Sequence, residues 1–113
     1  MSLDSNVTEP QADHPAATVL AGRAEAAAAF LKALSHEGRL MILCHLIGGE
    51  KTVTDLEALL GARQAAVSQQ LARLRDEGLV QARREGKAVH YSISDQRAER
   101  LIALVYEMFC RDA

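Results

Sequence analysis

The stretch at 52–94 constrains this chain most, because its hydrophobic spacing switches from helical to strand-like between fixed breaks. Thr52-Val-Thr-Asp55 opens a short helical pattern that carries Leu56, Leu59 and Leu60, and Gly61-Ala-Arg63 interrupts it. A second helical pattern starts at Gln64, with Val67, Leu71 and Leu74 at i, i+4 and i+7, one face of a helix. Gly78 stops it. Residues 79–84 and 88–94 read as two strands around Glu85-Gly86-Lys87. In the second strand Val89, Tyr91 and Ile93 alternate with His90 and Ser92, the period of a half-buried strand. A short helix, a three-residue turn, a second helix and a hairpin make a winged helix-turn-helix, whose second helix is shaped to enter a DNA major groove.

The remaining chain supplies the frame. Residues 1–15 are polar, contain Pro10 and Pro15 and lack periodicity, so a disordered arm is expected ahead of one domain at 16–113. An alanine-rich helix is expected at 16–33, with Val19, Leu20, Phe30, Leu31 and Leu34 as bulky apolar positions on or beside it. A second helix is expected at 35–47, capped by Ser35 and ended by Gly48-Gly49. Leu40, Met41, Leu43, Cys44, Leu46 and Ile47 make that helix apolar on more than one side, so it is expected at the centre of the core. Asp95 caps a last helix to about Cys110 whose apolar residues spread wider than one stripe. The surplus calls for a partner, most simply the same helix of a second copy. The fold class expected is mainly α with a small β-hairpin wing, in the order α-α-α-α-β-β-α, dimeric through the first and last helices.

The net charge of −2 does not advertise nucleic acid, but the charge is uneven. Arg63, Arg73, Arg75, Arg83, Arg84 and Lys87 outnumber Asp76, Glu77 and Glu85 in the reading helix and wing, where phosphates would lie. Residues 1–30 carry Asp4, Glu9, Asp13 and Glu25 against Arg23. Base-edge contacts are expected from Gln64, Ala65, Ser68 and Gln69, on the side of the helix away from Val67, Leu71 and Leu74. Arg63 and Arg73 read as phosphate contacts, and Arg83, Arg84 and Lys87 as wing contacts to the backbone or minor groove. No run of apolar residues reaches membrane-spanning length and no basic start precedes an apolar stretch, so neither a transmembrane span nor a secretory signal is expected. Two cysteines in such a chain fit a reducing cytoplasm.

With these motifs in place, the chain resembles the ArsR/SmtB family of bacterial repressors. The matching text is Leu31-Lys-Ala-Leu-Ser-His-Glu-Gly-Arg-Leu40, Val67-Ser-Gln-Gln-Leu71, Leu74-Arg-Asp-Glu-Gly-Leu-Val80 and Gly86-Lys-Ala-Val-His-Tyr91, and the likeness covers roughly 24–110. It implies a homodimer that binds an imperfect inverted repeat in double-stranded DNA and is released by an inducer. One metal site of the family places cysteines where this chain has Thr52 and Thr54, and hydroxyls are poor ligands for soft metals. A second uses Asp and His on the last helix; here Asp95 is followed by Arg97 and no later His, so no metal ligand and no cofactor is expected. His36, His45 and His90 are read as structural residues.

Cys44 taken alone reads as a small core residue. The pair Cys44 and Cys110 is similar to the thiol pair of the SqrR/BigR-type persulfide sensors, whose run Leu-Cys-His-Leu matches Leu43-Cys-His-Leu46 and whose second thiol follows near the chain end. That resemblance implies redox sensing of a persulfide or polysulfide by the two thiols and control of sulfide-detoxification genes. A plain disulfide needs Cα atoms about 4.4–6.8 Å apart, and each inserted sulfur adds up to roughly 2 Å of reach. Other readings stay open: a repressor triggered by peroxide, haem or metal, a winged helix used only for protein contacts, or a thiol redox enzyme. The enzyme reading lacks a Cys-x-x-Cys, a phosphate loop and any acid–base pair near a thiol, so no catalytic residue is assigned.

Overall fold

The computed structural model describes residues 14–111. The disordered arm read at the N-terminus lies outside them up to residue 13; His14 and Pro15 already begin the first helix. The elements are α1 (Pro15–Ala21), α2 (Ala24–Leu34), α3 (Glu37–Leu46), α4 (Val53–Leu60), α5 (Gln64–Asp76), β1 (Val80–Glu85), β2 (Ala88–Ile93) and α6 (Gln96–Cys110).

There is one helix more than the sequence suggests. The expected helix at 16–33 is divided at Gly22 and Arg23. The Gly22 N–H bonds Val19 O at 3.3 Å and the Arg23 N–H bonds Leu20 O at 2.8 Å, three-residue bonds that tighten and close α1. Glycine is a poor helix former, and no residue of α1 is buried, so no packing holds a continuous helix across the gap.

The start of α3 also differs. Ser35 does not cap it; its Oγ donates to Lys32 O at 2.8 Å at the end of α2. His36 is the N-cap instead, its Nδ1 accepting from the Gly38 N–H at 2.9 Å. The boundary shifts because an imidazole nitrogen two residues back reaches the same orphan donor that a serine oxygen would.

The reading unit forms as its spacing implies. Thr52 and Asp55 make a reciprocal capping box, Asp55 N–H to Thr52 Oγ1 at 3.1 Å and Thr52 N–H to Asp55 Oδ2 at 2.9 Å. Gly61 ends α4 at φ 63°, a left-handed conformation that a side chain resists. The antiparallel hairpin pairs Val80 with Ile93 through to Glu85 with Ala88, and Gly86 turns it at φ 62°. Lys51 adds a third edge: its N–H bonds Tyr91 O at 3.0 Å, and the Tyr91 N–H bonds Lys51 O at 2.8 Å. The alternation expected in β2 is muted, since all six residues are half-buried. Tyr91 and Ile93 do pack on the core, while Gln81 Nε2 meets Ser92 Oγ at 3.3 Å and His90 faces Glu85 on other faces of the ladder.

The core gathers Ile42, Leu43 and Leu46 of α3, Leu56 of α4, Val67, Leu71 and Leu74 of α5, Leu79 and Val80, and Ala98 and Ile102 of α6. Helix α3 is its centre, as expected, although Met41, Cys44 and Ile47 face outward. Among the described residues no helix is long and apolar enough to cross a membrane.

Candidate nucleic-acid interface and thiol cleft

Burying Val67, Leu71 and Leu74 turns the opposite face of α5 outward. Arg63, Gln64, Ala65, Gln69 and Arg73 are exposed there and Ser68 is half-exposed. Arg63 is the N-cap residue, and no side chain caps this helix. On the wing Arg83, Arg84 and Lys87 are exposed. The structure therefore brings all nine residues read as DNA contacts to the surface of one module.

Arg83 stands apart from its neighbours. Its Nε and Nη2 donate to the two oxygens of Glu50 at 3.0 and 2.7 Å, and its Nη1 lies 3.4 Å from Glu85. The Glu50 carboxyl is held below its usual range chiefly by the hydrogen bond from Arg83, and the guanidinium is held correspondingly more firmly protonated. The pair was not legible in the sequence: Glu50 lies in a Gly-Gly-Glu-Lys loop far from Arg83, and no periodicity links the two.

The thiols occupy a different surface. Cys44 and Cys110 are both free and exposed, so Cys44 is not the small core residue it resembles when taken alone. They line one cleft of about 110 Å³ between α3 and α6, together with Leu40, Met41, Ile102, Val105 and Tyr106. Its walls are aliphatic and aromatic, and the two sulfurs are its reactive groups.

Of the residues at the family's metal positions, Thr52 and Asp95 are engaged otherwise. Thr52 and Asp55 close the capping box of α4. Asp95 accepts from the Arg97 N–H at 2.9 Å and from the Arg97 guanidinium at 2.7 and 3.1 Å, which holds its carboxyl below the usual range. Arg97 also lies 5.1 Å over the Phe30 ring, in a shallow groove between α2 and α6. His36 caps α3 and its Nε2 lies 3.5 Å from Gln70 Nε2, a structural place like the one read for it.

A buried helical core, an outward-facing second helix and a hairpin wing with a basic surface define a winged helix-turn-helix DNA-binding regulator. The pattern described as bacterial regulatory protein, arsR family, matches residues 36–82. The chain belongs to that family of DNA-binding transcriptional regulators rather than to a family of enzymes. It is 47% identical over 88 residues to the biofilm growth-associated repressor of Agrobacterium fabrum, an overlap of 78% of this chain and 75% of the relative. The crystal structure of the transcriptional repressor BigR from Xylella fastidiosa superimposes with a TM-score of 0.79 at 40% identity, covering 82% of this chain and 95% of that one. Reduced HlyU from Vibrio cholerae does so with a TM-score of 0.77 at 36% identity, covering 82% and 98%.

Proposed function

We propose that this protein is a cytoplasmic homodimeric repressor that senses persulfides or polysulfides through Cys44 and Cys110 and leaves its operator when the two are bridged. The observation that carries the reading is the single apolar cleft that both free thiols line. A persulfide R–S–SH transfers its outer sulfur to the Cys110 thiolate, which leaves the thiolate of R and a Cys110 persulfide. The Cys44 thiolate then attacks the inner sulfur and expels hydrosulfide, closing a disulfide; the thiols are oxidised and the sulfane sulfur is reduced. With a polysulfide donor, attack further along a longer Cys110 chain retains sulfur atoms in the bridge. Cys110 is the first target because it ends α6, where helices fray.

Bridging α3 to α6 changes the packing between the core helix and the helix assigned to the dimer. The two α5 helices of a dimer must sit about 34–36 Å apart to reach successive major grooves. A small rotation spoils that match. In the bound state Gln64, Ala65, Ser68 and Gln69 meet base edges, Arg63 and Arg73 meet phosphates, and Arg84 and Lys87 follow the backbone from the wing. The genes released are those for sulfide detoxification.

The test treats the reduced protein with inorganic polysulfide, peroxide or oxidised glutathione and follows mass and DNA binding together. Polysulfide is expected to add one or more bridging sulfurs, or remove two hydrogens, and to weaken binding about 5–150-fold. Cys44→Ser and Cys110→Ser are expected to bind DNA and ignore polysulfide. A serine variant that still releases DNA on polysulfide treatment overturns the dithiol reading. Release by peroxide alone assigns another trigger.

A further inference from the structure

The wing is fastened at two points to the segment that follows α3. One is the pair of backbone bonds between Lys51 and Tyr91, at 3.0 and 2.8 Å. The other is the Glu50 carboxylate, which takes two hydrogen bonds from Arg83 at 2.7 and 3.0 Å. The register places these side by side: Tyr91 lies opposite Ala82 and His90 opposite Arg83, so β2 runs between β1 and Lys51. The arrangement extends to Glu85, 3.4 Å from the same guanidinium and 3.7 Å from His90 Nε2. A guanidinium offers its flat fork to one bidentate partner, and here a carboxylate has taken it. Among the described residues neither Arg84 nor Lys87 is in an ion pair.

We propose that Glu50 is a positioning residue for DNA recognition: it withholds Arg83 from phosphate and sets the tilt of the wing against α5. Discrimination between operator and random duplex then depends on a fixed wing rather than on one more cation. The inference rests on the reading that the wing tip meets DNA, and it is independent of the thiols.

The full-length protein is titrated, over a series of salt concentrations, with two duplexes of equal length. One is recovered by selection from a random-sequence pool and the other is its scrambled form. Each phosphate neutralised contributes about 0.9 to the slope of log affinity against log salt. Glu50→Gln frees Arg83, so binding to the scrambled duplex is expected to tighten and the slope to steepen by about that amount. Arg83→Gln is expected to lower discrimination roughly threefold to fivefold, the size of an exposed ion pair, with the slope unchanged. Exchanging the charges, Glu50→Arg with Arg83→Glu, is expected to recover discrimination, which a role in stability alone does not predict. A slope that flattens by about 0.9 in Arg83→Gln and stays constant in Glu50→Gln makes Arg83 a phosphate contact and overturns the proposal. So does a charge exchange that fails to rescue. Arg84→Gln separates the underlying reading: if it leaves the slope untouched, the wing lies off the DNA and both inferences fall.

Discussion

Between α4 and the end of the wing, Leu56, Val67, Leu71, Leu74, Leu79 and Val80 are buried, and Leu59 is the one large apolar residue there that stands exposed. Along α6, by contrast, Leu104, Tyr106, Met108 and Phe109 face solvent, and Phe109 is 80% exposed. The reading unit closes its own core, caps its first helix and ties down its hairpin. The α6 flank buries Ala98 and Ile102 in the core and leaves its other side open. A single subunit thus completes the surface assigned to DNA and leaves incomplete the surface assigned to assembly.

The contrast breaks most visibly in the core. Leu71 is fully buried where α5 meets α3, and Leu71→Ala is expected to cost about 2–5 kcal/mol, read as an earlier thermal melt at every protein concentration. Phe109→Glu probes the open flank. It is expected to remove about 1.5–3 kcal/mol from association while leaving the fold of the subunit intact, measured by sedimentation. Earlier melting of the dissociated subunit would place Phe109 inside its own chain and dissolve the contrast. Thr52→Ala removes one half of the capping box and is expected to cost about 1 kcal/mol, with α4 exchanging its amides faster than α3.

The smallest effect is electrostatic. The Asp55 carboxyl is held below its usual range, first by the hydrogen bond from the Thr52 backbone. Its folded-state value lies below its unfolded value, so its contribution is complete above the ordinary carboxylate range and fades as pH falls through the folded value. Asp55→Asn is therefore expected to be less stable than the parent at neutral pH, with the gap narrowing in acid; a gap that widens in acid contradicts the assignment.

Much of the reading unit was legible because short-range rules govern it. The stripe of Val67, Leu71 and Leu74, the helix opening at Thr52, the Asp95 cap and the breaks at Gly61, Gly78 and Gly86 all act within a few residues. The divided first helix was less legible, because a run of alanines favours helix strongly enough to mask a single glycine when nothing packs against it. The start of α3 was missed by one residue because serine is the commoner cap and histidine a rarer one. At the site, the outward face of α5 followed from its buried face. The meeting of Cys44 and Cys110 came from family resemblance rather than from spacing, since two lone cysteines carry no periodicity. The Glu50–Arg83 pair stayed hidden because it is set by the fold of the whole wing.

The backbone bridge at Lys51 has a consequence for how the molecule behaves at high concentration. With the Lys51 bridge at Tyr91 on one flank and β1 on the other, β2 is closed near the middle of its outer edge, and the hairpin's other margin is β1. That margin carries Arg83, Arg84 and Glu85 in succession, and charged side chains along an edge strand disfavour a second copy that tries to extend the sheet. Arg84, the wing arginine proposed to follow the polyanion, therefore also guards the strand against aggregation.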